Sequence, residues 1–177
     1  MLSWADRSVI AVLIAVVVLL VALPVAVEAP MFARCTQAAL DILARADPLD
    51  RRPPPWLAAA VEYEVTNLDL PLAAARMSMH NSHCNGRPAH RTVERMFETL
   101  GLSWYWRLRF SHDDIVGLYV SQAWLGVKPF GFSAASRAYF GRELNMLGPD
   151  QQRCLIERLR SPNPRAFACG GDALHHP

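Results

Sequence analysis

The chain has 177 residues, of which 52% are hydrophobic and 19% are charged, and its formal net charge is +2. A chain of this length favours one compact domain. The apolar content excludes an intrinsically disordered protein. The weak positive balance gives no strong field that would attract phosphates, so we expect no nucleic-acid partner.

An uncharged apolar run extends from Val9 to Val27 and contains a single proline, Pro24. Its 19 residues would span roughly 28 Å as a helix, close to the hydrocarbon thickness of a bilayer. A cleaved signal peptide is the alternative, but the run is longer than a usual signal-peptide core. Pro30 would also follow directly after the possible cleavage site at Val27-Glu28-Ala29. We therefore expect a retained N-terminal transmembrane helix, with the domain outside the cytoplasm.

The four cysteines, Cys35, Cys84, Cys154 and Cys169, fit an oxidising compartment in which one or two disulfides could form. They form no C-x-x-C pair, so their spacing does not indicate a zinc ribbon. Unpaired cysteines that pack as small hydrophobic residues are an equally weighted alternative.

Beyond the apolar run, proline and glycine separate segments of helical periodicity. The segment Pro48–Pro55 is so rich in proline that we predict a stiff linker without regular structure. Ser111 is predicted to cap a helix whose first turn carries Asp113 and Asp114. No alternating segment of convincing length predicts a strand, so the domain is predicted to be mainly α. The other predicted helices are Thr36–Ala46, Trp56–Val65, Leu72–Met79, Arg91–Ser103, Gly131–Phe140 and Pro149–Leu159, with a polar loop at Asn81–Ala89.

The polar loop places His80, His83, Cys84 and His90 within 11 residues, and zinc prefers His and Cys ligands. Their spacing matches no regular zinc motif, and loops collect polar residues in any case. We therefore expect no metal site in this loop, and none from His175-His176 in the tail.

Three glutamates lie on segments predicted to be apolar helices: Glu62 and Glu64 near the end of one, and Glu98 on another. An apolar helical setting can raise the pKa of a carboxylate and suit it to act as a general base. The alternative is that each glutamate is a solvent-facing charge.

Arginines outnumber glutamates between residues 87 and 109, where they are interleaved with the aromatic segment Trp104–Trp106. Such a stretch could lie at a lipid headgroup surface or hold a diphosphate. A charged face beside an aromatic core cluster is an equally weighted alternative. The arginines are Arg87, Arg91, Arg95, Arg107 and Arg109.

A recognisable motif begins at residue 115. Ile115-Val-Gly-Leu-Tyr-Val-Ser121 resembles the I-L-x-x-Y-L-N segment of the peptidoglycan glycosyltransferases, glycosyltransferase family 51. Leu125-Gly126 and Gly131-Phe-Ser-Ala-Ala-Ser-Arg-Ala-Tyr-Phe-Gly141 resemble the F-G turn, the G-x-x-A-A segment and the Y-F pair that follow in that family. The resemblance extends roughly from Pro53 to Phe167, and its C-terminal half is the more specific.

Other similarities to the family are weaker. Arg95 falls on the arginine of the R-K-x-x-E motif, and Pro55-Trp56-Leu57 resembles the lead-in to the catalytic motif of single-anchor members. Pro162-Asn163-Pro164 lies where the family has its P-x-P end. An N-terminal anchor followed by the domain is also the family's layout.

The resemblance implies a lysozyme-like helical domain behind a single N-terminal transmembrane helix, on the outer face of the inner (cytoplasmic) membrane. In that family, a glutamate base deprotonates the 4-hydroxyl of the acceptor sugar, which attacks the anomeric carbon of the growing chain, so that lipid II is polymerised. A second glutamate and nearby cations stabilise the departing undecaprenyl diphosphate, and some members use a divalent metal. The implied division is a tail at 1–8, an anchor at 9–29, a helical stalk and Pro-rich linker at 30–55, the family 51-like domain at 56–167 and a tail at 168–177.

The positions that the family uses for catalysis differ in this chain. In an ungapped alignment from Pro55, the first catalytic glutamate falls on Val65. In the R-K-x-x-E motif that begins at Arg95, the second falls on Thr99. Glu64 and Glu98 each lie one residue earlier. Because one residue turns a helix by about 100°, both side chains would point elsewhere unless the helices shift in register.

The surrounding motifs are also altered. Met96 stands where the family has the lysine beside Arg95, and Ser121 stands where it has asparagine. The G-S-T-I-x-Q-Q segment is absent, and the stretch from Val65 to Arg91 is shorter, which removes much of the donor-site lobe.

Two functions therefore compete. In the first, the chain is a compact peptidoglycan glycosyltransferase with Glu64 and Glu98 as catalytic residues and Arg91, Arg95 and Ser121 as substrate-binding residues. In the second, it is a degenerate, non-catalytic relative that binds lipid II, a glycan strand or a cell-wall synthesis partner. A glycan-cleaving activity with Glu64 as the acid is a third reading. We expect the membrane as a partner and no cofactor other than the divalent metal that the resemblance allows.

Overall fold

The computed structural model of the chain describes residues 29–65, 69–82, 84 and 93–160, together with Val16. Within these ranges every regular element is helical and no strand occurs, which confirms the predicted mainly α fold and is consistent with a lysozyme-like helical domain. The helices are α1 in residues 29–45, α2 at Pro48–Arg51, α3 at Pro55–Val65, α4 at Leu70–Asn81, α5 at Val93–Arg109, α6 at His112–Gln122, α7 at Phe132–Phe140 and α8 at Pro149–Arg160, with a 3-10 turn at Leu144–Met146.

The helix ends follow the local signals in the sequence. Ser111 caps α6 as predicted, in a reciprocal capping box with Asp114. Gly141 ends α7 in the left-handed conformation that glycine adopts without a steric cost. Helix α5 continues six residues beyond its predicted end at Ser103, because Trp106 is fully buried and anchors another turn. The predicted start of this helix at Arg91 and most of the predicted polar loop lie outside the described residues.

The prediction that Pro48–Pro55 lacks regular structure is wrong for its first half. Pro48 lies in the first turn of α2, where the missing N–H would have no intrahelical partner. The Asp47 carboxylate caps this helix by accepting a hydrogen bond from the Leu49 backbone N–H at 3.0 Å. The short helix therefore forms because capping compensates for the proline content.

Two hydrophobic cores share α6 as a common wall. The first packs α3, α7 and α8 against Val116 and Val120 of α6, and Phe132 is its largest fully buried side chain. The second packs α1, α4 and α5 against the opposite side of α6, around Trp106. The Trp106 indole N–H donates a hydrogen bond to the Thr36 hydroxyl at 3.0 Å. Helix α1, which belongs to the segment predicted as a stalk, thus contributes directly to the second core.

Helix α2 is held at the junction of α6 and α7 by close backbone approaches. A side chain at Gly117 would overlap the backbone carbonyl of Arg51, and one at Gly131 would overlap the Asp50 carboxylate. Asp50 is only 3% exposed and accepts hydrogen bonds at 2.8 Å from both the backbone N–H and the hydroxyl of Ser133. The carboxylate of Asp50 therefore caps the first turn of α7 from another part of the chain.

Burial raises the pKa of Asp50 to about 6 from its ordinary value of 3.8. The two hydrogen bonds from Ser133 oppose this rise, the negative charge of Asp47 adds to it, and Arg137 opposes it. Since the folded-state pKa lies above the unfolded one, ionisation of Asp50 costs stability as the pH rises from about 4 to above 6.

A disulfide joins Cys35 of α1 to Cys84, just beyond the end of α4. Cys154 on α8 is also disulfide-bonded, and no described cysteine is free. Disulfide formation is thus confirmed over the alternative of unpaired cysteines.

No helix in the described ranges is long and apolar enough to cross a membrane. The predicted anchor at 9–29 lies almost entirely outside these ranges.

Replacing both Cys35 and Cys84 by alanine is expected to lower the free energy of unfolding by about 4 kcal/mol, because the bond closes a loop of 49 residues. Urea unfolding followed by far-UV circular dichroism measures the change. Alanine is preferred to serine because Cys35 is fully buried and a hydroxyl there would be poorly satisfied. An unchanged urea midpoint would contradict the prediction.

Asp50→Asn is expected to change the pH dependence of stability, since the amide oxygen can still accept from Ser133 but cannot ionise. The stability of the variant relative to the wild type should rise by about 2.4 kcal/mol between pH 4 and pH 8, from the raised pKa of Asp50. Urea unfolding at several pH values measures this difference. A difference that stays constant with pH would refute the assignment.

Candidate functional site

Glu64, the predicted catalytic carboxylate of α3, is paired with Arg160 at the end of α8. The Arg160 Nε donates to Glu64 Oε2 at 2.6 Å, and a second guanidinium nitrogen contacts Oε1. The Glu64 side chain is 14% exposed, whereas that of Arg160 is largely in solvent. The hydrogen bond from Arg160 holds the pKa of Glu64 below its ordinary value of 4.5. The raised pKa that an apolar helix can give a carboxylate is not found at Glu64, because the guanidinium of Arg160, 96 residues away in sequence, faces it.

Glu98, the second predicted carboxylate, is a buried residue of α5. Its neighbour Thr99 is also buried and donates its hydroxyl to the backbone carbonyl of Arg95 at 2.7 Å. The half-buried Arg95 guanidinium donates to the carbonyl of Met79 near the end of α4, at 3.3 Å. The start of α5 is thereby tied to the end of α4.

The two predicted carboxylates lie on helices that are separated by α4. Helix α4 packs extensively against α5 and to a lesser extent against α3. In the part of the chain that the structure describes, α3 and α5 share no extensive contact. The structure therefore places Glu64 and Glu98 on helices that belong to different cores, and it does not bring the two carboxylates together.

A small open pocket of about 170 Å³ lies between α4 and α6, with Tyr119 on its α6 side. Its α4 side carries Leu72, Ala73, Arg76 and Met77. Burial raises the pKa of the Tyr119 phenol, and the negative charge of Glu64 adds to that rise. The Glu64 carboxylate therefore acts electrostatically on a wall of this pocket.

Sequence reasoning did not single out Arg76 or Tyr119 as site residues. Tyr119 was present in the motif that resembles I-L-x-x-Y-L-N, but only as a marker of the family. Arg76 lies three and four residues after Ala73 and Leu72, so it is a cation on the helical face that carries these apolar residues. That spacing was the available signal.

Ser121, a predicted substrate-binding residue, does not line the pocket. It lies two residues after Tyr119 on α6, which places it about 200° around the helix. Its hydroxyl donates to the Leu118 carbonyl of the same helix at 3.2 Å. The other predicted substrate-binding residue, Arg91, lies outside the described residues.

The metal alternative at the polar loop loses its cysteine ligand, because Cys84 is disulfide-bonded. His80 is exposed, and His83 and His90 lie outside the described residues. Within the described ranges, no three side chains of His, Cys, Asp or Glu lie close enough to hold a metal. These residues therefore offer no ligand set for the divalent metal that the resemblance allows.

The sequence allowed the aromatic segment Trp104–Trp106 to be either a surface that contacts lipid or diphosphate, or part of the core. The structure divides the segment between these two alternatives. Trp106 is a core residue, while Trp104 is exposed and Tyr105 is partly so. Arg107 lies over the Trp104 ring, 5.6 Å from its centroid, and forms an ion pair with Asp69. The outer face of α5 is therefore an exposed aromatic surface beside cations.

Comparison with known proteins identifies a family model described as Transglycosylase, which matches residues 75–170, more than half of the chain. No curated protein and no solved structure gives a significant match. The matched range includes Glu98, Arg95 and Tyr119 but begins after Glu64. The first predicted carboxylate thus lies outside the matched range, and the second lies inside it.

The pairing of Glu64 with Arg160 predicts a coupled effect on stability. Glu64→Gln is expected to lower the urea midpoint at pH 7, and this loss should shrink by about half or more when Arg160→Gln is already present. Because the pKa of Glu64 is lowered in the folded state, the contribution is present above pH 4.5 and is lost as the pH falls through the folded-state pKa. Additive effects of the two substitutions at pH 7 would show that the pair is not coupled.

Proposed function

The chain belongs to the transglycosylase family, and we propose that it serves peptidoglycan assembly by binding lipid II or a glycan strand without polymerising it. The family assignment ties the chain to the formation of glycan strands in general, and to ligands of the glycan or lipid II class. The finer proposal, that the chain binds these ligands without polymerising them, depends on the ion pair that Glu64 forms and on its pKa.

The pairing of Glu64 with Arg160 is the observation that carries this proposal. A general base is most effective when its pKa lies near the working pH. The guanidinium lowers the pKa of Glu64 and occupies both carboxylate oxygens, so the group is a weak base. To deprotonate a sugar hydroxyl, Glu64 would have to release Arg160. A largely buried carboxylate would then remain without its counter-ion, which is unfavourable.

The residues at the two positions where the family has its catalytic glutamates also support a non-catalytic role. Val65, which falls on the family's first catalytic glutamate, is a buried residue of the first core. Thr99, which falls on the second, uses its hydroxyl to bond the helix that carries it. A valine has no ionisable group and a threonine hydroxyl is a far weaker acid than a carboxyl group. Val65 and Thr99 therefore contribute to packing and to helix hydrogen bonding, and they cannot act as acid or base.

The pocket between α4 and α6 is the proposed contact point for the ligand. Its volume of about 170 Å³ suits one substituent group of a sugar or diphosphate rather than a whole disaccharide. The exposed Arg76 can pair with an anionic oxygen, and Tyr119 offers an aromatic wall beside it. We place the anionic part of a lipid-linked glycan at Arg76.

We also propose that Val9–Val27 anchors the chain in the inner membrane, with the helical domain on its extracytoplasmic side. The disulfides of Cys35–Cys84 and of Cys154 support this placement, since such bonds persist in oxidising compartments. The anchor would keep the domain at the surface where lipid-linked glycans are presented.

Polymerisation of fluorescent lipid II by the full-length chain in detergent tests the catalytic half of the proposal. No glycan chains are expected from the wild type, from Glu64→Gln or from Glu98→Gln, while an active polymerase of the family forms them under the same conditions. Chains from the wild type that disappear in Glu64→Gln would overturn the proposal and establish a compact enzyme. Soluble fragments from preformed glycan would instead identify a glycan-cleaving activity.

Binding of lipid II tests the other half. Arg76→Gln is expected to weaken the binding of lipid II in detergent by about tenfold, the effect of one charge-assisted hydrogen bond. Arg153→Gln is the matched control, because it removes another exposed arginine, on α8 and outside the pocket. Equal affinities of the wild type and the Arg76 variant would exclude this pocket as the contact point.

A further inference from the structure

The outer face of α5 carries a stripe of large apolar side chains that is exposed along the whole helix. Four of them are between 64% and 88% exposed. At 100° per residue they lie within about 60° of one another around the helix. They are Val93, Phe97, Trp104 and Leu108.

The stripe lies opposite the face by which α5 enters the second core. Leu102 and Trp106 are fully buried and lie about 180° around the helix from the stripe. The fold thus has no need of the exposed side chains for packing. Contiguous apolar surface of this kind marks an interaction site more often than a plain solvent-facing surface.

The neighbouring helix α1 brings this face close to the predicted anchor. Phe32 of α1 stacks on Tyr105 with 5.8 Å between ring centroids, and a side chain at Gly101 would touch the Phe32 ring. Phe32 is five residues beyond Val27, where the apolar run ends. The greatest length of an extended chain up to α1, added to the helical rise within α1, limits the distance between Phe32 and the end of the run to about 12 Å.

The first half of α5 extends in the N-terminal direction of α1. Thr36 contacts Trp106 one turn after Phe32 contacts Gly101, so the two helices run side by side in the same sense. The residues of α5 before Gly101 therefore extend along the N-terminal direction of α1. Val93 and Phe97, both exposed, lie in that half.

The other end of the stripe has the composition of a membrane interface. Trp and Tyr are the aromatic residues that prefer the headgroup level, and the Arg107 guanidinium lies over the ring of Trp104. Arg109 is the last residue of the helix. A helix with an apolar stripe, aromatic residues and flanking arginines is suited to lie flat at a lipid surface. Asp69 neutralises part of Arg107, so the apolar and aromatic contacts would supply most of the affinity.

We propose that the outer face of α5 lies in the headgroup region of the bilayer that holds the anchor. This inference rests on the proposed anchoring by Val9–Val27 but not on the proposed binding of lipid II. The contact fixes the orientation of the domain on the membrane, because α5 packs on α4 and α4 carries Arg76 of the pocket.

Quenching of tryptophan fluorescence by brominated lipids tests the proposal on the full-length chain in phosphatidylcholine–phosphatidylglycerol vesicles. All variants carry Trp4→Phe, which removes the tryptophan next to the apolar run. Trp104→Phe is then expected to remove about half or more of the lipid-dependent quenching, with bromines near the headgroups acting more strongly than deep ones. Trp124→Phe is the matched control, since Trp124 is similarly exposed but lies in the connection between α6 and α7.

Each failure has its own signature. If the chain floats with the vesicles but Trp104→Phe leaves the quenching unchanged, the proposal is overturned while the anchoring stands. A concentration-dependent dimer whose assembly is lost in Leu108→Ser, again without quenching at Trp104, would assign the stripe to a second copy of the chain. A chain that does not float would overturn both the anchoring and the docking of α5, and neither result bears on the lipid II assays.

Discussion

The burial of the Asp50 carboxylate at the start of α7 is the constraint on which the rest of the domain depends. It holds α2 against Gly117 and Gly131, where any side chain would collide with the backbone of Arg51 or with Asp50 itself. Both glycines lie in the segments that resemble the glycosyltransferases. The proline-rich stretch before the domain is therefore part of its architecture, and α3 enters the first core from a fixed position.

This fixed entry determines what α3 can do. Its buried positions Leu57, Val61 and Val65 face the first core, so Glu64 is turned toward α8, where Arg160 meets it. The same packing places Tyr119 within the electrostatic reach of Glu64. The family scaffold is retained, but the carboxylate on α3 serves to join two helices.

Local signals sufficed to predict most of the fold. Periodicity located α3 to α8, the Ser111 cap and the Gly141 end were correct, and the resemblance to the family was confirmed by the match over residues 75–170. Contacts between distant residues could not be predicted. The sequence offers no sign that Arg160 would contact Glu64 or that Cys35 would pair with Cys84. Helix α2 was not predicted because its segment is rich in proline, and the hydrogen bond by which Asp47 caps the helix depends on local geometry that the sequence does not show.

The pKa of the Glu64 carboxyl group is the quantity on which the proposed loss of polymerisation depends most directly. It can be measured by a ¹³C NMR titration of the labelled side-chain carboxyls in the full-length chain in detergent micelles, with Glu64→Gln to assign the resonance. We predict a value below the ordinary 4.5, because Arg160 stabilises the carboxylate. A value of about 6 to 7, typical of a catalytic base, would contradict the account and return Glu64 to the role of the base.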